Sequence, residues 1–172
     1  MELYKAMEDR RSVRAYKPNT VPTASLERIF RAAQIAPSWK NRQAWHIIAI
    51  EDRKTIARLG KAIGGNPRGV DYHTLPMVLV LAMDADAMDV YDGKEYYLVD
   101  AGIVGEHIVL AAQAEGLGTC WIGWFFEEPV KELLGIPDKY RVVMITPLGY
   151  PAESPKMRPR KALDEIVHVD QW

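Results

Sequence analysis

The chain is 172 residues long, 48% hydrophobic and 26% charged, which excludes a disordered protein and sets the size of one globular domain spanning residues 1–172. Its 22 Lys and Arg meet 23 Asp and Glu at a net charge of −1, which argues against a general nucleic-acid binder. The single cysteine, Cys120, forms no internal disulfide, and no cysteine cluster exists to hold a metal, so a reducing, cytoplasmic setting is expected.

In chain order, residues 3–9 read as a short helix whose mixed charges lack the apolar core of a signal peptide. A second helix opens near Thr23, carries Leu26, Ile29, Phe30 and Ala33 on one face, and stops at Pro37. Trp45 to Ile50 is a strand and Lys54 to Ile63 a helix closed by Gly64-Gly65; residues 66–76, with Pro67, Gly69 and Pro76, are loop. Met77 to Met83 is an apolar run of strand length, expected at the centre of a sheet and far short of the roughly 20 residues that span a bilayer. The acidic stretch 84–95 reads as a surface loop, and Asp100 as the cap of a helix bearing Ile103, Ile108, Val109 and Ala112 and ending at Gly116. Thr119 to Gly123 is a short strand, Pro129 begins a helix that ends at Gly135, and Arg141 to Leu148 is the last long strand. The tail from residue 150 carries Pro151, Pro155 and Pro159 with basic charge, then the alternating Ile166-Val167-His168-Val169. That alternation is expected to add a strand to a sheet, and to a second copy's edge if its own is out of reach.

The balanced total conceals a segregation of charge. Arg10, Arg11, Arg14 and Lys17 cluster near the start, Lys156, Arg158, Arg160 and Lys161 near the end, and neither cluster contains an acid. Setting these eight aside leaves 14 basic against 23 acidic residues, a balance of −9 for the body of the chain. Two basic arms on an acidic body are either solvated termini or two sides of one anion site.

Standard catalytic sets are missing. His46, His73, His107 and His168 stand far apart at no metal-ligand spacing, and there is no nucleophile elbow, P-loop or dinucleotide fingerprint. Cys120 sits in an apolar stretch without a basic neighbour and reads as an inert buried thiol. Asp100 and Glu106 read as a cap and a solvated face. What the chain does carry is binding chemistry. Arg10-Arg11-Ser12-Val13-Arg14 combines guanidinium forks, which grip phosphate bidentately, with a hydroxyl. Residues 37–43, PSWKNRQ, supply hydroxyl, amide and indole groups, and residues 116–123, GLGTCWIG, let backbone N–H groups approach a flat ligand. Together they suit a phosphorylated aromatic cofactor.

RRSVR at 10–14, APSWKNRQAW at 36–45, DAG at 100–102, GLGTCWIG at 116–123, and PKMRPRK at 155–161 followed by LDEIV resemble, in order and spacing, the FMN-dependent nitroreductase family, over residues 2–172. The resemblance implies an α+β fold with a central mixed, mainly antiparallel sheet flanked by helices, and a homodimer holding FMN at its interface. It implies that Arg10, Arg11, Ser12 and Arg14 of one subunit, with Arg158, Arg160 and Lys156 of the tail, hold the phosphate and the polar edge of the flavin. Pro37, Ser38, Trp39 and Asn41 would come from the other subunit, and the backbone of Ile122 and Gly123 would face flavin N5. Asn66 and Arg68 are candidates for the family's middle contacts, and Ala44 departs from a frequent proline. The implied activity is ping-pong hydride transfer from NAD(P)H through FMN to a small electron-poor acceptor such as a nitroaromatic or quinone, with the chemistry on the flavin and no catalytic side chain. Trp39, Trp121 and Trp124 are either walls of the acceptor pocket or core. No metal, nucleic acid or membrane partner is expected. Alternatives are another flavoenzyme on this scaffold (dehalogenating, flavin-fragmenting or dehydrogenating), a non-catalytic FMN-binding protein, and basic termini that merely meet an acidic partner.

Overall fold

A computed structural model describes residues 2–64 and 69–172. The apolar run becomes strand β2 (Met77–Asp84), flanked by β1 (Trp45–Ile50) and by the long strand Tyr140–Gly149. Alternation along β2 explains why nearly every residue of it is buried. Met77, Leu79, Leu81 and Met83 enter one core, while Val78, Val80 and Ala82 enter the other. Such a strand is buried on both faces and therefore reads as a continuous hydrophobic run.

Two short strands, β3 (Val90–Tyr91) and β4 (Lys94–Glu95), form a separate hairpin where the sequence suggested only loop. Its turn is Asp92-Gly93, both at positive φ (54° and 70°). Asp-Gly is the dipeptide that favours this turn, so the signal was present in the sequence. The main sheet is completed by β5 (Gly118–Thr119) and β6 (Tyr140–Gly149), in the order β1-β2-β6-β5 with every strand pair antiparallel. Its parallel component among the described residues is one bridge, Ser12 to Thr119. The expected strand 119–123 is split: Thr119 ends β5, and Ile122 makes an isolated bridge with Ile145.

Helices cover both faces. On one side lie α1 (Leu3–Asp9), α2 (Thr23–Gln34) and, after α3 (Arg53–Ala62) in the chain, α4 (Tyr96–Ala114); α3 and α5 (Glu127–Leu134) cover the other. Leu26, Ile29 and Ala33 of α2 are buried, as their spacing requires. Asp52 caps α3 by accepting the Thr55 backbone N–H at 2.8 Å. Helix α4 begins at Tyr96, so Asp100 is not its cap but lies inside it, 1% exposed. The tail beyond β6 carries an isolated antiparallel bridge from Pro151 to Tyr16 and a 3₁₀ turn at Leu163–Glu165, and Ile166 to Val169 form no strand among the described residues.

Candidate functional site

The first basic arm is held along two edges. On one, Val13 N–H donates to Thr119 O at 2.9 Å. On the other, Lys17 N–H donates to Tyr150 O and Ala152 N–H to Ala15 O, both at 2.8 Å. Glu153 adds a carboxylate that accepts the backbone N–H groups of Arg14 and Ala15 at 2.5 and 3.1 Å. These bonds turn the start of the tail back over residues 10–17. The result is a cavity of about 510 Å³ lined by Arg10, Arg11, Ser12 and Arg14 from one arm and Lys156, Arg158 and Arg160 from the other, with Pro155, Met157 and Pro159 between them.

Three of the six cations of this cavity are oriented by backbone carbonyls rather than by carboxylates. Arg11 Nη1 donates to the carbonyls of Glu8 and Arg10, Arg14 Nη1 to that of Ser12 at 3.0 Å, and Arg160 Nη1 to that of Arg158 at 3.2 Å. Among the described residues, the only carboxylate within ion-pair distance of the six is Glu106, 3.8 Å from Arg10 Nε. Carbonyls fix a guanidinium in space and leave its charge intact, so the cavity is poised for an anion.

The second segment does not line this cavity. Pro37 and the extended Ser38 lead into a 3₁₀ turn (Trp39–Asn41) between α2 and β1, with Lys40, Asn41 and Gln43 at φ of 47°, 55° and 50°. Left-handed backbone costs a residue with a β-carbon about 1–2 kcal/mol, so three in four residues need holding. Gln43 N–H donates to Ser38 Oγ at 3.0 Å, and Lys40 Nζ pairs with Asp89 at 2.8 Å. Trp39 stacks on Tyr96 at 4.0 Å and donates its indole N–H to Asp89 at 3.2 Å. The backbone N–H of Trp39 meets both carboxylate oxygens of Asp100, at 3.0 and 3.1 Å. Burial pushes the Asp100 carboxyl above its ordinary range, and this N–H only partly counters it. Asp89, Asp100 and Glu153 were not legible as site supports, because an acid in a loop or near a helix start reads as solvated or as a cap.

In the third segment, Cys120 is buried at 4% exposure, and its N–H donates to Thr146 Oγ1 at 3.1 Å. Ile122 commits both backbone groups to Ile145, at 2.9 and 3.0 Å. Gly123 makes no backbone bond among the described residues, and a β-carbon placed on it would meet nothing nearer than 3.6 Å. The fold itself therefore does not demand glycine there. Trp39 is partly buried against the core, whereas Trp121 and Trp124 are 40% and 90% exposed. Asn66 and Arg68 lie outside the described residues. The described residues contain no metal-binding group of His, Cys, Asp and Glu, and no helix among them is long and apolar enough to cross a membrane.

The sequence profile of the nitroreductase family matches residues 7–73 and 70–150. The chain belongs to the nitroreductase family. Its fold matches the crystal structure of a nitroreductase family protein from Clostridium novyi NT with a TM-score of 0.85 at 38% identity, over 100% of this chain and 95% of that one. An FMN-dependent nitroreductase from Clostridium difficile R20291 matches with a TM-score of 0.84 at 28% identity, over 97% and 98% of the two chains. The FMN reductase [NAD(P)H] of Bacillus subtilis strain 168 is 29% identical over 188 residues, covering 99% of this chain and 74% of that protein. The family's α+β architecture, an antiparallel sheet between helices, is the one described above.

Proposed function

We propose that the basic cavity holds the phosphate of FMN and that a second copy of the chain completes the flavin site. The chain is an NAD(P)H-dependent flavin oxidoreductase with FMN as its cofactor, in keeping with its family and relatives. The observation that carries the placement is the meeting of six cations from the two ends of the chain around one cavity. A phosphomonoester brings a charge of about −1.5 to −2 and three acceptor oxygens, which suits guanidinium forks and the Ser12 hydroxyl.

Arg10, Arg11, Ser12, Arg14, Lys156, Arg158 and Arg160 bind and neutralise the phosphate and the polar edge of the cofactor. Of the Ile122–Gly123 pair, Gly123 has the uncommitted backbone and the open side, so it is the residue that offers an N–H to the ring system. Pro37, Ser38, Trp39 and Asn41 do not line the cavity and act from the partner copy. When bound, FMN supplies reversible hydride chemistry, taking from NAD(P)H and giving to a nitroaromatic, quinone or similar acceptor in alternate half-reactions. Positive charge around the cofactor stabilises its reduced, anionic form.

A second copy is supported by apolar surface with no cover. Leu98 and Val99 of α4 and Leu3, Tyr4 and Met7 of α1 are exposed, as are Ile166, Val167, Val169 and Trp172 of the tail. The tail then packs on the partner, where Ile166 to Val169 are free to add a strand.

Two measurements test this reading. Light scattering of the purified chain should give twice the monomer mass. The visible spectrum after addition of FMN should show bound flavin that NAD(P)H bleaches and a nitroaromatic restores. Protein that stays colourless with FMN would sink the cofactor placement, and a monomer that binds FMN would sink the shared site.

A further inference from the structure

We propose that Asp100 is a positioning residue for the flavin site: by accepting the Trp39 backbone N–H it fixes the left-handed Ser38–Asn41 turn in the shape that meets the cofactor. The inference rests on the reading above, in which that turn touches FMN across the dimer interface.

Asp100 is an unexpected residue to find in the interior of α4. It is 1% exposed, and among the described residues no Lys, Arg or His lies within ion-pair distance of it. Its one hydrogen-bond partner among the described residues is Trp39 N–H, which sits nearly midway between its oxygens, at 3.0 and 3.1 Å. A buried carboxylate is expensive to keep, and a neutral or apolar side chain would suit the packing of a helix better. What the carboxylate supplies is a charge-assisted bond to one backbone N–H, stronger than a neutral acceptor would make. The position of Trp39 is thus held at a cost to the helix that holds it.

The same residue is gripped from two other directions. Tyr96, one turn earlier on α4, stacks on the indole, and Asp89 accepts from both Trp39 Nε1 and Lys40 Nζ. All three supports come from residues 89–100, and all act on the two residues that enter the left-handed stretch. Ser38 and Asn41, the polar groups of the turn, lie one and two residues from Trp39. A turn locked before the ligand arrives loses no further freedom on binding, which is the condition for tight, oriented contact.

The test compares FMN titration, apo-protein melting and near-ultraviolet circular dichroism for the wild-type chain, Asp100→Ala, Asp100→Asn and Asp89→Ala. Asp100→Ala should weaken FMN at least tenfold and alter the tryptophan dichroism of the apo protein while its melting temperature holds. Asp100→Asn, which keeps one acceptor oxygen, should stay within about threefold of wild type, by the modest difference between a charged and a neutral acceptor. Asp89→Ala, on an exposed loop, should weaken FMN severalfold without loss of stability, and it decides the matter if Asp100→Ala does not fold. Wild-type affinity in both alanine variants overturns the inference. So does an affinity loss in Asp100→Ala that Asp100→Asn fails to rescue while both remain folded. A wild-type chain that does not bind FMN overturns the flavin reading itself, and this inference with it.

Discussion

The side chain of Val13 occupies the space that a β-carbon on Gly118 would need: Cβ and Cγ2 of Val13 lie 2.9 Å from that point. The contact docks the first basic arm on β5, next to the bond from Val13 N–H to Thr119 O. Gly118→Ala should therefore push residues 12–14 away from the sheet. The expected loss is about 1–3 kcal/mol of stability, the usual cost of overpacking a fitted contact. FMN affinity should fall with it, because Ser12 and Arg14 flank the displaced residue. Denaturant melts and FMN titration measure both losses, and Val13→Ala added to Gly118→Ala should recover only part of them, because it removes Cγ1 and Cγ2 but leaves Cβ 2.9 Å from the new methyl.

Arg158 and Arg160 stand on an exposed tail and line the cavity, and among the described residues the Arg160 guanidinium bonds only to carbonyls of the tail itself. Replacing either with Ala should leave the apo melting temperature unchanged. FMN binding should weaken by about 1.5–3 kcal/mol, the range for a hydrogen bond to a charged group. Riboflavin has the same ring without the phosphate, so its affinity should not move. Parallel titration of FMN and riboflavin checks the assignment, and equal losses for both ligands would place these arginines elsewhere on the flavin.

Much of the architecture was legible because burial writes itself into residue order. Met77 to Met83 is an apolar run of strand length, which pointed to a buried central strand, and the 3.6-residue spacing of Leu26, Ile29 and Ala33 defined the face of α2. Charge alone left the two basic arms open between solvated termini and one anion site, and the structure brings six of their eight cations around one cavity. What escaped reading depends on three-dimensional proximity. Asp100 looked like a cap because an acid before an apolar helix usually is one, and only the extra turn from Tyr96 to Val99 shows it to be internal. Lys40 and Gln43 adopt backbone that their own preferences oppose and Asn41 only tolerates it, so no strong local signal announces the turn that Asp89 and Asp100 support. Glu153 lies 139 positions from Arg14, whose N–H it accepts, and spacing in sequence cannot suggest such a pair.

Two carboxyls should give opposite pH signatures. Burial pushes the Glu127 carboxyl up, but the Arg141 fork (2.7 and 3.0 Å) and the Val142 N–H (3.0 Å) outweigh it and hold it below its ordinary range. Its stabilisation is complete above the unfolded value of about 4.3 and is lost as pH falls through the lower folded value. Glu127→Gln should thus cost about 1 kcal/mol at neutral pH and nothing in strong acid. Asp100 is raised instead, so its charge destabilises the fold above its folded pKa, and that cost vanishes below the unfolded value of about 3.9. Asp100→Asn should be at least as stable as wild type at neutral pH and converge with it in acid. Chemical denaturation of the three proteins across the acid range checks both signs.

Tyr72 presents the reverse of a supported polar group. Its ring is buried against Gly60 of α3, and its hydroxyl has no hydrogen-bond partner among the described residues. Burial raises the phenol's pKa above its ordinary value, with the nearby Cys120 thiol adding to the effect. A buried donor left unpaired costs about 1–3 kcal/mol, while removing it together with its need for a partner is close to neutral or better. Tyr72→Phe keeps the ring that fills the space over Gly60 and deletes only the oxygen. It should leave FMN affinity unchanged and raise stability by up to about 1 kcal/mol. Tyr72→Ala should lose about 3–5 kcal/mol through the cavity it opens in the core beside α3. Denaturant melts of the two variants separate the roles of ring and hydroxyl, and a destabilised Tyr72→Phe would mean that the hydroxyl makes a bond after all.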